Sequence, residues 1–360
     1  MTRPAKVVID IAALQHNLNR VRSIAPASKV MAIVKADAYG HGIDCIAGAL
    51  KSADAFGVAC LEEAQQLREC GIKQPILLLE GAFAASELSS ISQLRLDIVV
   101  HHGTQIEMLE QATLPNPVYA WLKIDTGMHR LGFPLAKVRS AYERLQACGN
   151  VAGQIRLMTH FACASEPDNP MTSEQVQAFN RACEGVPGER SLANSAGVLN
   201  FPQSHADWVR PGIMLYGVSP LPAGRAADHQ LRPVMSLVTE LISIKQVEQG
   251  GAVGYGSRWH CPEAMPVGIV AAGYGDGYPR HVVSGTPILI NGYRAAVIGH
   301  VSMDMLAVDL RQVSNPAVGD AVELWGSRLP IEEVAEHAGT IPYELMCGVQ
   351  KRLNFEIQNG

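Results

Sequence analysis

Between about residues 29 and 217, short apolar segments alternate with amphipathic ones, and this pattern leaves few folds open. Residues 30–34, 55–59, 75–79, 96–100, 118–124, 154–159, 191–193 and 208–209 read as strands. Stretches such as 61–70, 134–147 and 173–183 repeat apolar residues at helical spacing. Strands that are apolar throughout have no face for water, so they predict a parallel sheet covered by helices. Eight of them in this length fit a (β/α)8 TIM barrel, with the seventh and eighth the shortest. An open, doubly wound sheet is the competing arrangement.

Beyond about residue 231 the texture changes. Residues 234–247, 266–271, 287–290, 294–298, 303–310 and 321–325 read as strands broken by Gly and Pro turns, and helical spacing returns only near 331–337. The stretch 219–232, rich in Pro, Ala and Gly, is the expected hinge. The chain is therefore expected to form a barrel domain over residues 1–230 and a mainly β domain over 231–360. The first strand, 7–9, precedes the first helix (11–24) and is free to pack with the second domain.

Composition narrows the function classes. A 48% apolar and 18% charged chain of 360 residues with net charge −5 is an ordinary globular protein, able to bury a sizeable core. No basic stripe with interleaved aromatics appears, so nucleic acid is not an expected partner. No apolar run reaches membrane-span length, and MTRPAKVVID lacks the apolar core of a secretory signal; a cytoplasmic location is expected. The eight cysteines include no CxxC pair, which predicts free thiols and no metal site.

In a parallel barrel, chemistry gathers at the C-terminal ends of the strands. The residues falling there are Lys35, Lys123, His160, Asn194, Ser195, Arg210 and Gly212. A lysine directly after an apolar strand is expected to be desolvated, which frees its amine to attack carbonyls; taken alone, such a lysine is more often solvated or paired. Asn194–Ser195–Ala196–Gly197 and Arg210–Pro211–Gly212–Ile213 follow the seventh and eighth strands, where barrels often bind phosphate. Their residues suit a phosphate cradle, or two ordinary turns. A strand-end lysine opposite a phosphate cradle is what pyridoxal phosphate requires. Arg210, which cannot give up its proton, is the candidate partner for the ring nitrogen and would weaken the cofactor as an electron sink. Arg130, in the turn after Lys123, suits a carboxylate or a surface salt bridge equally well. GYGDGYPR (273–280) spaces its glycines differently from a dinucleotide loop and precedes no helical pattern, so that reading is rejected.

Taken together, VMAIVKADAYGHG, KIDTGMHRLG, NSAG, WVRPGIMLYG, VGYGSRW, GYGDGYPR and GHVSMD closely resemble the alanine racemase family, over nearly the whole chain. The resemblance implies a pyridoxal 5'-phosphate-dependent, two-base isomerase interconverting L-alanine and D-alanine. It also implies a head-to-tail homodimer in which each β domain completes the partner's barrel mouth. It assigns Lys35 as cofactor anchor and one base, and Tyr255 of the other subunit as the opposite base. Tyr39, Asn194, Ser195, Gly212 and Ile213 would hold the cofactor, Arg210 would face its ring nitrogen, and His160 would lie beside the ring. Arg130 and the Met303 backbone would contact the substrate carboxylate. Lys123, at a position carbamylated in some members, would orient Arg130, with Tyr274 and Asp304 supporting. Two departures stand out: Ser191 occupies a position where some relatives carry His, and CGVQKRLNFE lacks a Tyr found near Lys351 in many members.

The resemblance further implies D-alanine supply for peptidoglycan or a part in alanine catabolism. A racemase of serine or of a broader amino-acid set is the alternative within the class. A related decarboxylase would carry an acid where Arg210 stands. A non-catalytic pyridoxal phosphate carrier would lack the β domain, and with it Tyr255 and Met303.

Overall fold

In the computed structural model, which describes residues 3–358, the chain opens on β1 (Lys6–Asp10). Residues 1, 2, 359 and 360, inside the expected limits 1–230 and 231–360, lie outside the described residues. Asp10 then caps the helix Ile11–Ile24 by accepting from the Ala13 N–H at 2.8 Å. That helix buries Ala13, Leu14, Asn17, Leu18 and Val21, one face at helical spacing. Asn17 is polar but satisfied. Its amide donates to the Leu215 and Arg232 carbonyls and accepts from the Arg232 N–H, so the helix grips both ends of the hinge.

Eight strands follow: β2 (Lys29–Ile33), β3 (Ala55–Val58), β4 (Ile76–Leu78), β5 (Asp97–Val100), β6 (Tyr119–Lys123), β7 (Arg156–Met158), β8 (Arg190–Asn194) and β9 (Trp208–Arg210). Neighbours pair in parallel, and β2 meets β9 through Lys29↔Trp208 and Val30↔Val209. The sheet is therefore a closed barrel, and the open arrangement is excluded. Buried strands β3, β4 and β5 explain the continuous apolar runs.

The second sheet comprises β10 (Met235–Val247), β13 (Met265–Val270), β14 (Pro287–Ile290), β15 (Tyr293–Ile298), β16 (Leu306–Asp309), β17 (Ala321–Trp325) and β18 (Asn354–Gln358), joined by β1. A small hairpin, β11 (Ala252–Val253) with β12 (Trp259–His260), stands apart and carries Tyr255 at its turn. β10 is long enough to pair with β1, β13 and β17 in succession. β1 pairs antiparallel with β10 and parallel with β18, so the N-terminal strand is held among C-terminal ones.

Three local expectations differ from the structure. β16 starts at Leu306, because Ser302–Met305 closes a turn (Ser302 N–H to Met305 carbonyl, 2.9 Å) instead of extending the strand. Helix also returns a second time, at Pro342–Cys347, a segment too short to show periodicity. β18 was not expected either: as an edge strand with mostly exposed residues, it lacks apolar alternation.

Candidate active site

A cavity of about 750 Å³ opens at the C-terminal ends of the barrel strands. Lys35, Tyr39, Lys123, Arg130, His160, Asn194, Ser195, Arg210, Gly212 and Ile213 all line it. Tyr255, Tyr274, Met303 and Asp304 do not; Tyr255 sits at the turn of the β11–β12 hairpin and the others on loops of the second sheet, with Tyr255 71% and Met303 53% exposed.

Lys35 follows β2 and buried Val34, but it is only partly buried, a correction to the expected desolvation. The chain then does something unusual. Ala36, Asp37, Ala38 and Tyr39 all take positive φ between 52° and 54°, forming a left-handed turn of four non-glycine residues. Each such residue costs about 1–2 kcal/mol relative to a right-handed turn, so the surroundings must enforce the conformation. Glu63 does much of this, accepting from the Ala36 N–H at 2.6 Å with one oxygen and from the Ala59 N–H at 2.8 Å with the other. Asp37 caps the following helix through the Ile43 N–H, and His41 Nδ1 lies 3.0 Å from both the Ala38 and Tyr39 carbonyl oxygens. The turn delivers Tyr39 to a buried place against Tyr216, with ring centroids 4.8 Å apart.

Beside Lys35, rather than opposite it as expected, the β8 and β9 ends interlock, because closure of the barrel pairs β2 with β9 and the Ile33 N–H with the Pro211 carbonyl (3.1 Å). Asn194 accepts from the Gly197 N–H (2.9 Å), and Ser195 Oγ accepts from the Gly212 N–H (2.9 Å). With the Met214 N–H also donating to it (3.4 Å), the Ser195 hydroxyl keeps its proton free to donate. A Cβ on Gly212 would lie 2.3 Å from the Tyr39 hydroxyl, so only glycine lets that hydroxyl come so near the loop backbone.

Arg210 is buried without a carboxylate partner. Its Nη1 donates to Ser191 Oγ (2.6 Å), and its Nη2 to the Thr159 (2.6 Å) and Leu192 (3.2 Å) carbonyls. Ser191 thus serves Arg210 with a neutral hydroxyl. Among the described residues none accepts from Arg210 Nε. Burial lowers Arg210 to about 10, still cationic at neutral pH. His160 lies 3.4 Å from Arg210 Nη2, and burial together with Arg210, Lys123, Arg130 and Lys35 holds it neutral. Burial, aided by Arg210, Arg130 and Lys35, brings the Lys123 ammonium down to about 8.

Arg130 is exposed at the mouth on a loop organised by Asp125, which accepts from the Gly127 and His129 N–H groups at 3.0 Å. It has no ion-pair partner among the described residues. The cationic cavity wall meets only Glu80, Glu332 and Glu336. Glu332 is engaged by the Ser219 and Ala226 N–H groups and Glu336 by Arg225, which leaves Glu80 alone against Lys35, Lys123, Arg130 and Arg210, so the inner cavity is suited to an anion.

Sequence reasoning missed Glu63, which carried no signal beyond its place in a helix, and Tyr343. Tyr343 lines the cavity 6.0 Å from the Tyr39 ring, so a C-terminal tyrosine does reach the site, from the short helix that periodicity could not reveal.

The fold and pocket together define a barrel protein with a cationic cavity suited to a small anion, backed by a mainly antiparallel sheet. Family models match as "Alanine racemase, N-terminal domain" over residues 9–220 and "Alanine racemase, C-terminal domain" over 234–357. The alanine racemase of Shewanella loihica is 53% identical over 341 residues, covering 95% of each chain. The biosynthetic alanine racemase of Pseudomonas aeruginosa superposes with a TM-score of 0.97 at 46% identity, over 99% of this chain and 100% of that one. The alanine racemase of Acinetobacter baumannii does so with 0.93 at 40% identity, over 99% and 100%. The chain belongs to the alanine racemase family.

Proposed function

We propose that this protein is an alanine racemase, interconverting L-alanine and D-alanine with pyridoxal 5'-phosphate bound in the barrel mouth. The observation that carries the reading is a lysine at a strand end facing an anion-suited wall of Ser195, Gly212 and carboxylate-free Arg210. The residues present fit the cofactor. Tyr39, Ser195, Gly212 and Ile213 would take its phosphate, Arg210 Nε its ring nitrogen, and Lys35 its aldehyde; Asn194 shapes the cradle and His160 flanks it. Held there, the cofactor would supply an electron sink that weakens the bond between the substrate Cα and its hydrogen.

The chain's own groups then do the rest. Lys35 Nζ takes or delivers the Cα proton on one face, and the Tyr255 phenol of a second copy serves the other. Arg130 binds the substrate carboxylate, joined by the Met303 backbone of the second copy, while Lys123 orients Arg130. Arg210, as a donor that stays charged, keeps the ring nitrogen from gaining a proton and so favours simple proton return over amino-group transfer.

The homodimer reading rests on exposure: Tyr255, Met303 and Met305 are exposed and line no part of their own chain's cavity. On it, residues 1–230 form the cofactor-binding unit, with β1 lodged in the other sheet, and 231–360 complete the partner's site. With all eight cysteines free, a reducing cytoplasm is the proposed location. There the enzyme would supply D-alanine for peptidoglycan or feed alanine catabolism.

Loss of optical activity, followed on a panel of L-amino acids with added cofactor, tests this. Alanine should racemise fastest, and Lys35→Ala should abolish both turnover and the bound cofactor's near-visible absorbance. Faster racemisation of serine, or a Lys35→Ala variant with full activity, would contradict it.

A further inference from the structure

Two loops proposed to serve the partner's cavity, one carrying Tyr274 and one carrying Met303, touch backbone to backbone. The Tyr274 N–H donates to the Ser302 carbonyl (3.1 Å) and the Gly275 N–H to the Met303 carbonyl (2.8 Å). A Cβ on Gly273 would fall 2.2 Å from the Ser302 oxygen, so the glycine is what permits this approach.

Each loop also carries an acid, and like charges drawn together need a counter-charge. Asp276 is fully buried, with one oxygen accepting from the Gly273 N–H at 3.0 Å. Asp304 is half-exposed. Two arginines from opposite chain ends span both acids. Arg3 reaches Asp276 (2.8 Å) and Asp304 (2.9 Å), and Arg352 reaches Asp276 through Nε (2.7 Å) and Asp304 through Nη2 (2.5 Å). The two arginines hold the Asp304 carboxyl below its usual range.

We propose that Arg3 and Arg352 are positioning residues that clamp Asp276 to Asp304 and so fix Tyr274 and the Met303 backbone relative to each other. The inference rests on the reading that both loops serve a partner's cavity. A guanidinium is the group the task requires, since its forked donors reach two carboxylates at once. The clamp acts on substrate binding, because the Met303 backbone it sets is proposed to contact the substrate carboxylate and neither loop moves a proton.

The test compares wild-type holoenzyme with Arg3→Ala, Arg352→Ala and Arg352→Lys, each kept dimeric as checked by light scattering. Arg352→Ala should raise KM for L-alanine by about tenfold with kcat changed less than about threefold, as expected when a binding contact is misplaced. Amide exchange should quicken in 273–277 and 302–305 but not in barrel strands, and Arg352→Lys should restore part of both effects. If Arg352→Ala does not fold, Arg352→Lys and Arg3→Ala carry the same comparison. Unchanged KM and loop exchange, or a fall in kcat alone, would overturn the clamp. A wild type inactive on alanine would instead sink the proposed function, while loop exchange would still decide the clamp.

Discussion

Lys123 illustrates how a single residue's chemistry follows from its neighbours. It is buried among cations, and burial leads the fall of its pKa to about 8 from the ordinary 10.5. At neutral pH a far larger fraction of this amine is then neutral than for a solvated lysine. Only the neutral amine adds carbon dioxide, so carbamylation should increase as pH rises through 8. Isotopically labelled bicarbonate should give a carbamate resonance that strengthens from about pH 7 to 8.5 and is missing in Lys123→Met. A spectrum identical in both proteins would contradict this. Lys35, Arg210 and Ser195 could be found from sequence because strand ends in a barrel have a known direction. Glu63 could not: its task depends on a left-handed backbone that Ala-Asp-Ala-Tyr does not announce.

At the scale of elements, the cradle depends on two segments approaching more closely than side chains usually allow. The left-handed turn after β2 carries Tyr39 toward the loop after β9, and Gly212 leaves room for the phenol. Gly212→Ala places a methyl 2.3 Å from a hydroxyl whose ring is already packed on Tyr216 and Tyr343. Overpacking of this kind costs about 1–3 kcal/mol. The variant should therefore bind pyridoxal phosphate roughly ten- to a hundredfold more weakly, measured by fluorescence quenching; unchanged affinity would show that the cradle lies elsewhere. The barrel strands were legible because burial on both faces writes them as apolar runs. β18 and the helix Pro342–Cys347 were not, since one is a polar edge strand and the other is a single short turn.

For the whole molecule, the division of labour between the two sheets is the main result. The barrel gathers the cationic cavity, while Tyr255, Tyr274 and Met303 are exposed and line no part of it. Barrel closure could be anticipated from the count and spacing of strands. That β1 could join the second sheet was legible from its place ahead of the first helix, but its particular pairing with β10 and β18 depends on contacts between chain ends that no local pattern encodes. A two-fold dimer is the arrangement that would supply the displayed residues to a cavity other than their own.

Mixing two inactive variants measures this claim most directly. Lys35→Ala and Tyr255→Phe subunits, each purified, unfolded or dissociated and re-associated together, form hybrids in which one site carries both changes and the other carries neither. Random pairing makes half of the dimers hybrid, so about a quarter of wild-type activity should return for a shared two-fold site. Activity that stays at the level of the separate variants would mean that each chain works with its own tyrosine, and the shared-site account would be wrong.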